Sequence, residues 1–317
     1  MTDSSTTSTP RIGLALGSGS ARGMAHIGVI QALQERGIVP DIICGTSIGS
    51  LVAAVHMANG LDTLEKWVTR LQTRDVLRYL GIKLLPGGGF ADGHRLINYL
   101  RDTFGDFRIE DAPKSLCLVA TDLAHGREVW LREGLIWDAV RASLAIPGIL
   151  TPHQLNGRWL VDGALLNPVP VSVCRAMGAD IIIAVNLNGD VLDRHLTPIL
   201  PDAKTSPPSE TATSLLDRVS TRLQTRSDSL MRAWFGSQNN APSLADVLAT
   251  SINIMQDHIT RSRLAGEPAD VVITPRLNRI GLFEFGRATE AIAEGRAAVR
   301  RARINIDYAL GMEDSDS

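Results

Sequence analysis

Asp41-Ile42-Ile43-Cys44-Gly45-Thr46-Ser47-Ile48-Gly49-Ser50-Leu51-Val52-Ala53-Ala54 reads as a strand, a sharp turn and a helix in direct succession. Asp41 to Cys44 has the apolar run of a strand buried on both faces. Gly45 and Gly49 flank Ser47 in a G-x-S-x-G pentapeptide, where small neighbours let the backbone turn tightly and present the serine oxygen. The helix beyond it, apolar through about Asn59, aims its positive end near that oxygen. A serine so placed can also do no more than cap the helix, and the pentapeptide alone leaves both readings open.

The same grammar occurs upstream. Arg11 to Leu16 is a short apolar strand, followed at once by the glycine turn Gly17-Ser18-Gly19-Ser20-Ala21-Arg22-Gly23. A helix from about Met24 to Glu35 then carries Ile27, Ile30 and Leu33 on one face and stops at Gly37. Downstream, helices are expected near 62–72, 92–103, 135–144, 243–264 and 286–303, and strands at 116–121, 128–131, 159–161, 181–185 and 271–274. Strand–turn–helix repetition makes the fold class α/β: a mainly parallel central sheet flanked by helices on both faces. Residues 1–10 read as a disordered tail, 11–190 as the core, and 191–213, rich in Pro, Asp, Ser and Thr, as a mobile loop. A helical part, 214–310, completes the domain ahead of an acidic tail, 311–317.

Composition narrows the function. Apolar residues are 44% of the 317, enough for a substantial core. Aromatics are 4% and the formal net charge is -2, so neither stacking platforms nor a basic field for nucleic acid are present. Three cysteines, Cys44, Cys117 and Cys174, lie far apart in apolar contexts without a CxxC pair; buried reduced thiols are expected, with no disulfide framework or zinc site. No basic, apolar leader opens the chain and no stretch approaches the roughly 20 apolar residues of a membrane span, so a soluble cytoplasmic protein is expected, with peripheral membrane contact open.

Two further segments carry chemistry. The amides of Gly17 to Gly23 can converge at a helix start and bind an anion. The loop lacks the Gly-Lys-Ser/Thr ending of a phosphate-binding loop, and Arg22 stands where a dinucleotide fingerprint needs its third glycine. A weak nucleotide-binding variant, with Asp41 as acidic ribose partner, stands beside an oxyanion hole built from Gly19, Ser20 and Ala21. Asp162-Gly163-Ala164 follows the strand Trp159 to Val161; its carboxylate can reach into a cleft or bond its own backbone in a turn.

In order and in flanking text, Ser18-Gly19-Ser20-Ala21-Arg22-Gly23, Gly45 to Gly49, Ala142-Ser143-Leu144-Ala145-Ile146-Pro147-Gly148 and Asp162-Gly163-Ala164 resemble the patatin-like phospholipase family, including bacterial relatives of neuropathy target esterase. The resemblance covers about residues 11–190, with a weaker continuation near 268–310. It departs in the loop, where Ser18 and Ser20 replace glycines. The resemblance implies a serine acyl-hydrolase acting on phospholipids, lysophospholipids or simple acyl esters. By the same resemblance Ser47 is expected as the nucleophile and Asp162 as its only general base, with Gly17, Arg22, Gly23, Gly45, Gly49 and Gly163 supporting the site. No cofactor is expected, and no metal, since no histidine pair has metal-ligand spacing and no calcium-site motif occurs. Of the seven histidines, only His195 and His258 follow Asp162, and neither sits where a Ser-Asp-His triad needs it; His26 is read as structural. Residues 76–90 are weighed as an apolar flap or a packed short helix, and 214–234 as a basic amphipathic helix able to meet anionic lipid or as a solvated face.

Overall fold

A computed structural model describes residues 9–81, 91–190 and 244–312. The 191–213 loop, the 214–234 helix, most of the N-terminal tail and the 82–90 part of the flap lie outside the described residues. The chain divides into two compact units, Met1–Leu192 with Met255–Ser317, and Asp193–Ile254. The α/β fold belongs to the first.

Its strands are β1 (Ile12–Leu16), β2 (Ile42–Thr46), β3 (Ser115–Asp122), β4 (Arg127–Leu131), β5 (His153–Leu155), β6 (Arg158–Asp162), β7 (Ile181–Val185) and β8 (Val271–Ile273). The helices are α1 (Ala25–Glu35), α2 (Ile48–Met57), α3 (Leu61–Val68), α4 (Thr73–Leu80), α5 (His94–Phe104), α6 (Ile136–Ser143), α7 (Val171–Ala176), α8 (Leu244–Gly266), α9 (Ala288–Arg301) and α10 (Arg303–Leu310). The strands form one sheet in the order β5-β6-β3-β2-β1-β7-β8, with β4 also on β3. β3, β2, β1, β7 and β8 are mutually parallel, and β4, β5 and β6 run antiparallel to their partners.

Alternation sends side chains to two cores. Leu14, Leu16 and Ile43 join the larger cluster with α1, α2 and α6. Ala15, Ile42, Cys44 and Cys117 join the smaller one under Val173 and Cys174 of α7. Both faces are covered, so the parallel strands read as unbroken apolar runs. The three thiols are free and buried. α4, α7, β5 and α10 have no counterpart in the sequence reading beyond the short-helix alternative for 76–90. Each spans 3–8 residues, too few for a period to declare itself.

β3 positions the site. β2 pairs with its residues 115–119 and β4 with 118–122, so these two strands hold opposite edges. β6 pairs with residues 120–122, which β4 also covers, and therefore shares the β2 edge. β2 ends with Thr46 opposite Val119. β6, arriving from the other direction, ends with Asp162 opposite Ala120. Two chain ends thus meet head-on along one edge, and the next residue of β2 is Ser47.

Candidate active site

Ser47 sits on a strained elbow, with φ 56° and ψ -123°. A side chain at position 45 would lie 2.7 Å from the Gly49 carbonyl oxygen, and one at position 49 would press on the Leu16 carbonyl and lie 2.8 Å from that of Gly17. Only glycine permits this approach. Ser47 begins α2, yet its hydroxyl makes no capping bond. It donates instead to Asp162 Oδ2 at 2.6 Å. The other carboxylate oxygen, Oδ1, accepts the Ala164 amide at 2.8 Å, so Asp162 both turns its own backbone and receives the serine. Gly163 opens that turn, seated beside the Val119 carbonyl.

A brace holds the pair. Ser143 Oγ accepts the Ser47 amide at 2.9 Å and donates to the Val119 carbonyl at 2.6 Å. Two residues on, the Ala145 carbonyl accepts the Asp162 amide at 3.0 Å. Thr121 Oγ1 donates to the Asp162 carbonyl at 3.0 Å, and Ser50 Oγ to that of Ser47. The segment leaving α6 therefore touches both residues. Its Ala-Ser-Leu-Ala-Ile-Pro text was noted in the sequence, but the part played by Ser143 and Ala145 was not.

Ser47 and Asp162 are 2% and 1% exposed. Burial disfavours the carboxylate and raises the Asp162 pKa from 3.8 to about 7, against the opposing pull of the Ser47 and Ala164 hydrogen bonds. No described histidine bonds to either residue. His26, fully buried, lies 2.7 Å from the Gly17 carbonyl through Nε2 and is held neutral, its pKa lowered to about 4 by burial. Nε2 must carry the proton there, because a carbonyl only accepts.

In the glycine turn, Gly17 donates to the Val185 carbonyl, Ser18 to that of Pro168 and Arg22 to that of Gly19. One expectation is corrected. The Ala21 amide donates to the Leu282 carbonyl at 3.0 Å, so it is not available to an oxyanion. The chain folds Leu282 over the turn, a contact no local pattern announces. Among the described residues, the Gly19 and Ser20 amides have no backbone acceptor. Ser20 faces the same cleft as Ser47. Arg22 is buried beneath the turn, and burial lowers its pKa to about 10; Gly23 packs against Ile48 of α2.

The cleft itself is apolar, a cavity of about 90 Å³ between Ser47, Leu51, Trp67, Leu144, Ile149 and Phe285. Val76 and Tyr79 of α4 also line it, so the described part of the 76–90 segment is a short helix that walls the cleft. A more open groove of about 840 Å³, near Pro113 and Trp130, contains neither Ser47 nor Asp162. Asp41 does not suit a nucleotide. It stands at the start of β2, the end of the parallel sheet opposite the glycine turn, and its Oδ2 accepts the Ile12 amide at 3.0 Å.

The sequence has known relatives. The profile of the family described as Patatin-like phospholipase matches residues 14–175. The chain belongs to that family. It is a lipid ester hydrolase by that membership. An uncharacterized NTE family protein of Mycobacterium tuberculosis is 37% identical, covering 93% of this chain and 92% of the other. Lysophospholipase NTE1 of Pyricularia oryzae is 30% identical over 90% of this chain, which spans 18% of that protein. Lysophospholipase nte1 of Emericella nidulans is 29% identical with the same coverage. Among the described residues, no helix is long and apolar enough to cross a membrane.

Proposed function

We propose that this patatin-like chain cleaves acyl esters of lysophospholipids and simpler lipids through a Ser47–Asp162 dyad and an acyl-enzyme. The observation that carries the reading is the 2.6 Å bond from Ser47 Oγ to a carboxylate buried behind an apolar cleft. Asp162 Oδ2 takes the Ser47 proton as Oγ attacks the ester carbonyl. The oxyanion meets the Gly19 and Ser20 amides and the positive end of α2. Asp162 then returns the proton to the leaving alkoxide, and water repeats the sequence against the acyl-enzyme. An ordinary aspartate is a weak base for serine. A pKa raised to about 7 narrows that mismatch while leaving roughly half of the carboxylate ionised at neutrality.

The apolar walls favour an acyl chain over a polar substrate. The fungal relatives bear the name lysophospholipase, which supports lipid monoesters as the substrate class. The reading places the protein in the cytoplasm, meeting lipid at a membrane surface. A fluorophosphonate probe tests the chemistry. Labelling of the wild type that disappears in Ser47→Ala supports the dyad; a folded wild type that neither labels nor hydrolyses p-nitrophenyl butyrate rules it out. Failure to co-sediment with phospholipid vesicles removes the membrane part alone.

A further inference from the structure

Ser18 and Ser20 stand in the turn that faces Ser47, and the structure gives each a distinct consequence. Ser20 adopts φ 51°, in the left-handed region. A residue with a side chain holds that conformation at a cost of order 1 kcal/mol, and only where its surroundings leave no alternative. The turn is fastened on both sides of it. Downstream, the Ala21 amide is tied to the Leu282 carbonyl. Upstream, Ser18 is 1% exposed, and its hydroxyl donates to Gln256 Oε1 of α8 at 3.0 Å. The same oxygen accepts Asn188 Nδ2 at 3.0 Å. Asn188, also 1% exposed, is fixed by its own amide on Asn186 Oδ1. Asn186 in turn donates its amide to the Ile273 carbonyl at the end of β8. Gln256 is 6% exposed. One buried side-chain oxygen thus joins the turn after β1, the segment after β7 and a helix 238 residues along the chain.

We propose that Gln256 is a positioning residue for the oxyanion turn, acting through Ser18 to hold the Gly19 and Ser20 amides at the angle that Ser20's strained backbone sets. The proposal rests on the hydrolase reading above. Without the anchor, the turn relaxes toward ordinary backbone angles and the two N–H vectors swing off the position of the oxyanion. A serine at position 18 therefore supplies by hydrogen bonding a restraint that glycine cannot. The interaction acts on the transition state, because the ground-state ester carbonyl carries little charge for these amides to bind.

The test compares Gln256→Met, Ser18→Ala and their double variant on p-nitrophenyl butyrate, with fluorophosphonate labelling rates and thermal midpoints alongside. Each single variant is expected to lower kcat about tenfold or more, below the 10²–10³ of deleting a donor outright, with KM within about twofold. The double variant should be no worse than the poorer single, because both break the same Ser18–Gln256 bond, Gln256→Met losing the Asn188 bond as well. Wild-type kcat in either folded single variant overturns the proposal, as do losses that multiply in the double. Ser18→Ala leaves α8 untouched, so it decides the matter if Gln256→Met fails to fold. An active wild type that needs Ser47, with unchanged single variants, refutes the anchor alone. A wild type without esterase activity refutes the hydrolase reading and the anchor together.

Discussion

Replacing Asp162 with asparagine should inactivate the protein and stabilise it at the same time. The carboxylate is 1% exposed, and burial raises its pKa from 3.8 to about 7. Each pKa unit is about 1.4 kcal/mol of preference between protonation states, so holding this group ionised in the fold costs on the order of 4 kcal/mol. The sign follows from proton binding. Between these two values the folded state keeps a proton that the unfolded state has lost, so stability falls as pH rises through that window. Above about 7 both states are ionised and the whole cost is present. Below 3.8 both are protonated and it vanishes. Asparagine is neutral throughout and matches aspartate in size; its amide oxygen can still accept the Ala164 N–H. The stability difference, variant minus wild type, should therefore grow by a few kcal/mol from pH 4 to pH 8. For a chain of this length that is a shift of several degrees in thermal midpoint. Differential scanning calorimetry at pH 4, 6 and 8 measures it, with p-nitrophenyl ester turnover recorded on the same samples. Activity should drop by 10² or more, the lower bound for losing a general base. A difference that does not change with pH, or a variant that retains near-wild-type turnover, would refute a dry, base-acting Asp162.

Three more outcomes follow from the site. For wild type, kcat/KM should rise with pH to a plateau above about 7 and fall roughly tenfold per unit below it, since only the ionised carboxylate accepts the serine proton; a flat profile from pH 5 to 8 contradicts this. Ser143→Ala strips the Ser47 amide and the Val119 carbonyl of a shared partner in a buried position. Urea unfolding should register a loss of about 1–3 kcal/mol, and kcat should fall more than KM rises. Gly49→Ala drives a methyl against the Leu16 and Gly17 carbonyls. It should destabilise by about 3 kcal/mol or more, or prevent soluble expression, through backbone that cannot yield.

Legibility in the sequence followed locality. Ile42 to Cys44 and Ile181 to Val185 announced themselves because a strand covered on both faces is apolar at every position. The helix over 25–35 shows through its periodic face, Ile27, Ile30 and Leu33. The elbow around Ser47 was readable because the backbone conformation itself demands glycines on either side. By contrast, α7, β5 and α10 are too short to repeat a pattern, and their existence depends on surfaces supplied by distant strands. Ala21 was assigned to the oxyanion hole by adjacency to Gly19 and Ser20. Its amide is consumed by Leu282, and no feature near residue 21 encodes that. Ser143 and Gln256 carry no local signal for the same reason, since a serine at a helix end and a glutamine in a helix acquire meaning only from what stands opposite.

Sequence alone thus determined the type of the longer elements and the order of the three motifs, because turn chemistry and periodicity are properties of neighbouring residues; Ser47 and Asp162 became candidates through the family resemblance those motifs carry. Tertiary structure alone decided that the two meet, since the edge of β3 must first bring β2 and β6 end to end. It also decided the basicity of Asp162 and which amides stay open. Desolvation and hydrogen-bond occupancy are set by whatever closes over a group, and the deciding atoms stand far off along the chain: Ser47 lies 115 residues from Asp162, and Leu282 caps the amide of Ala21.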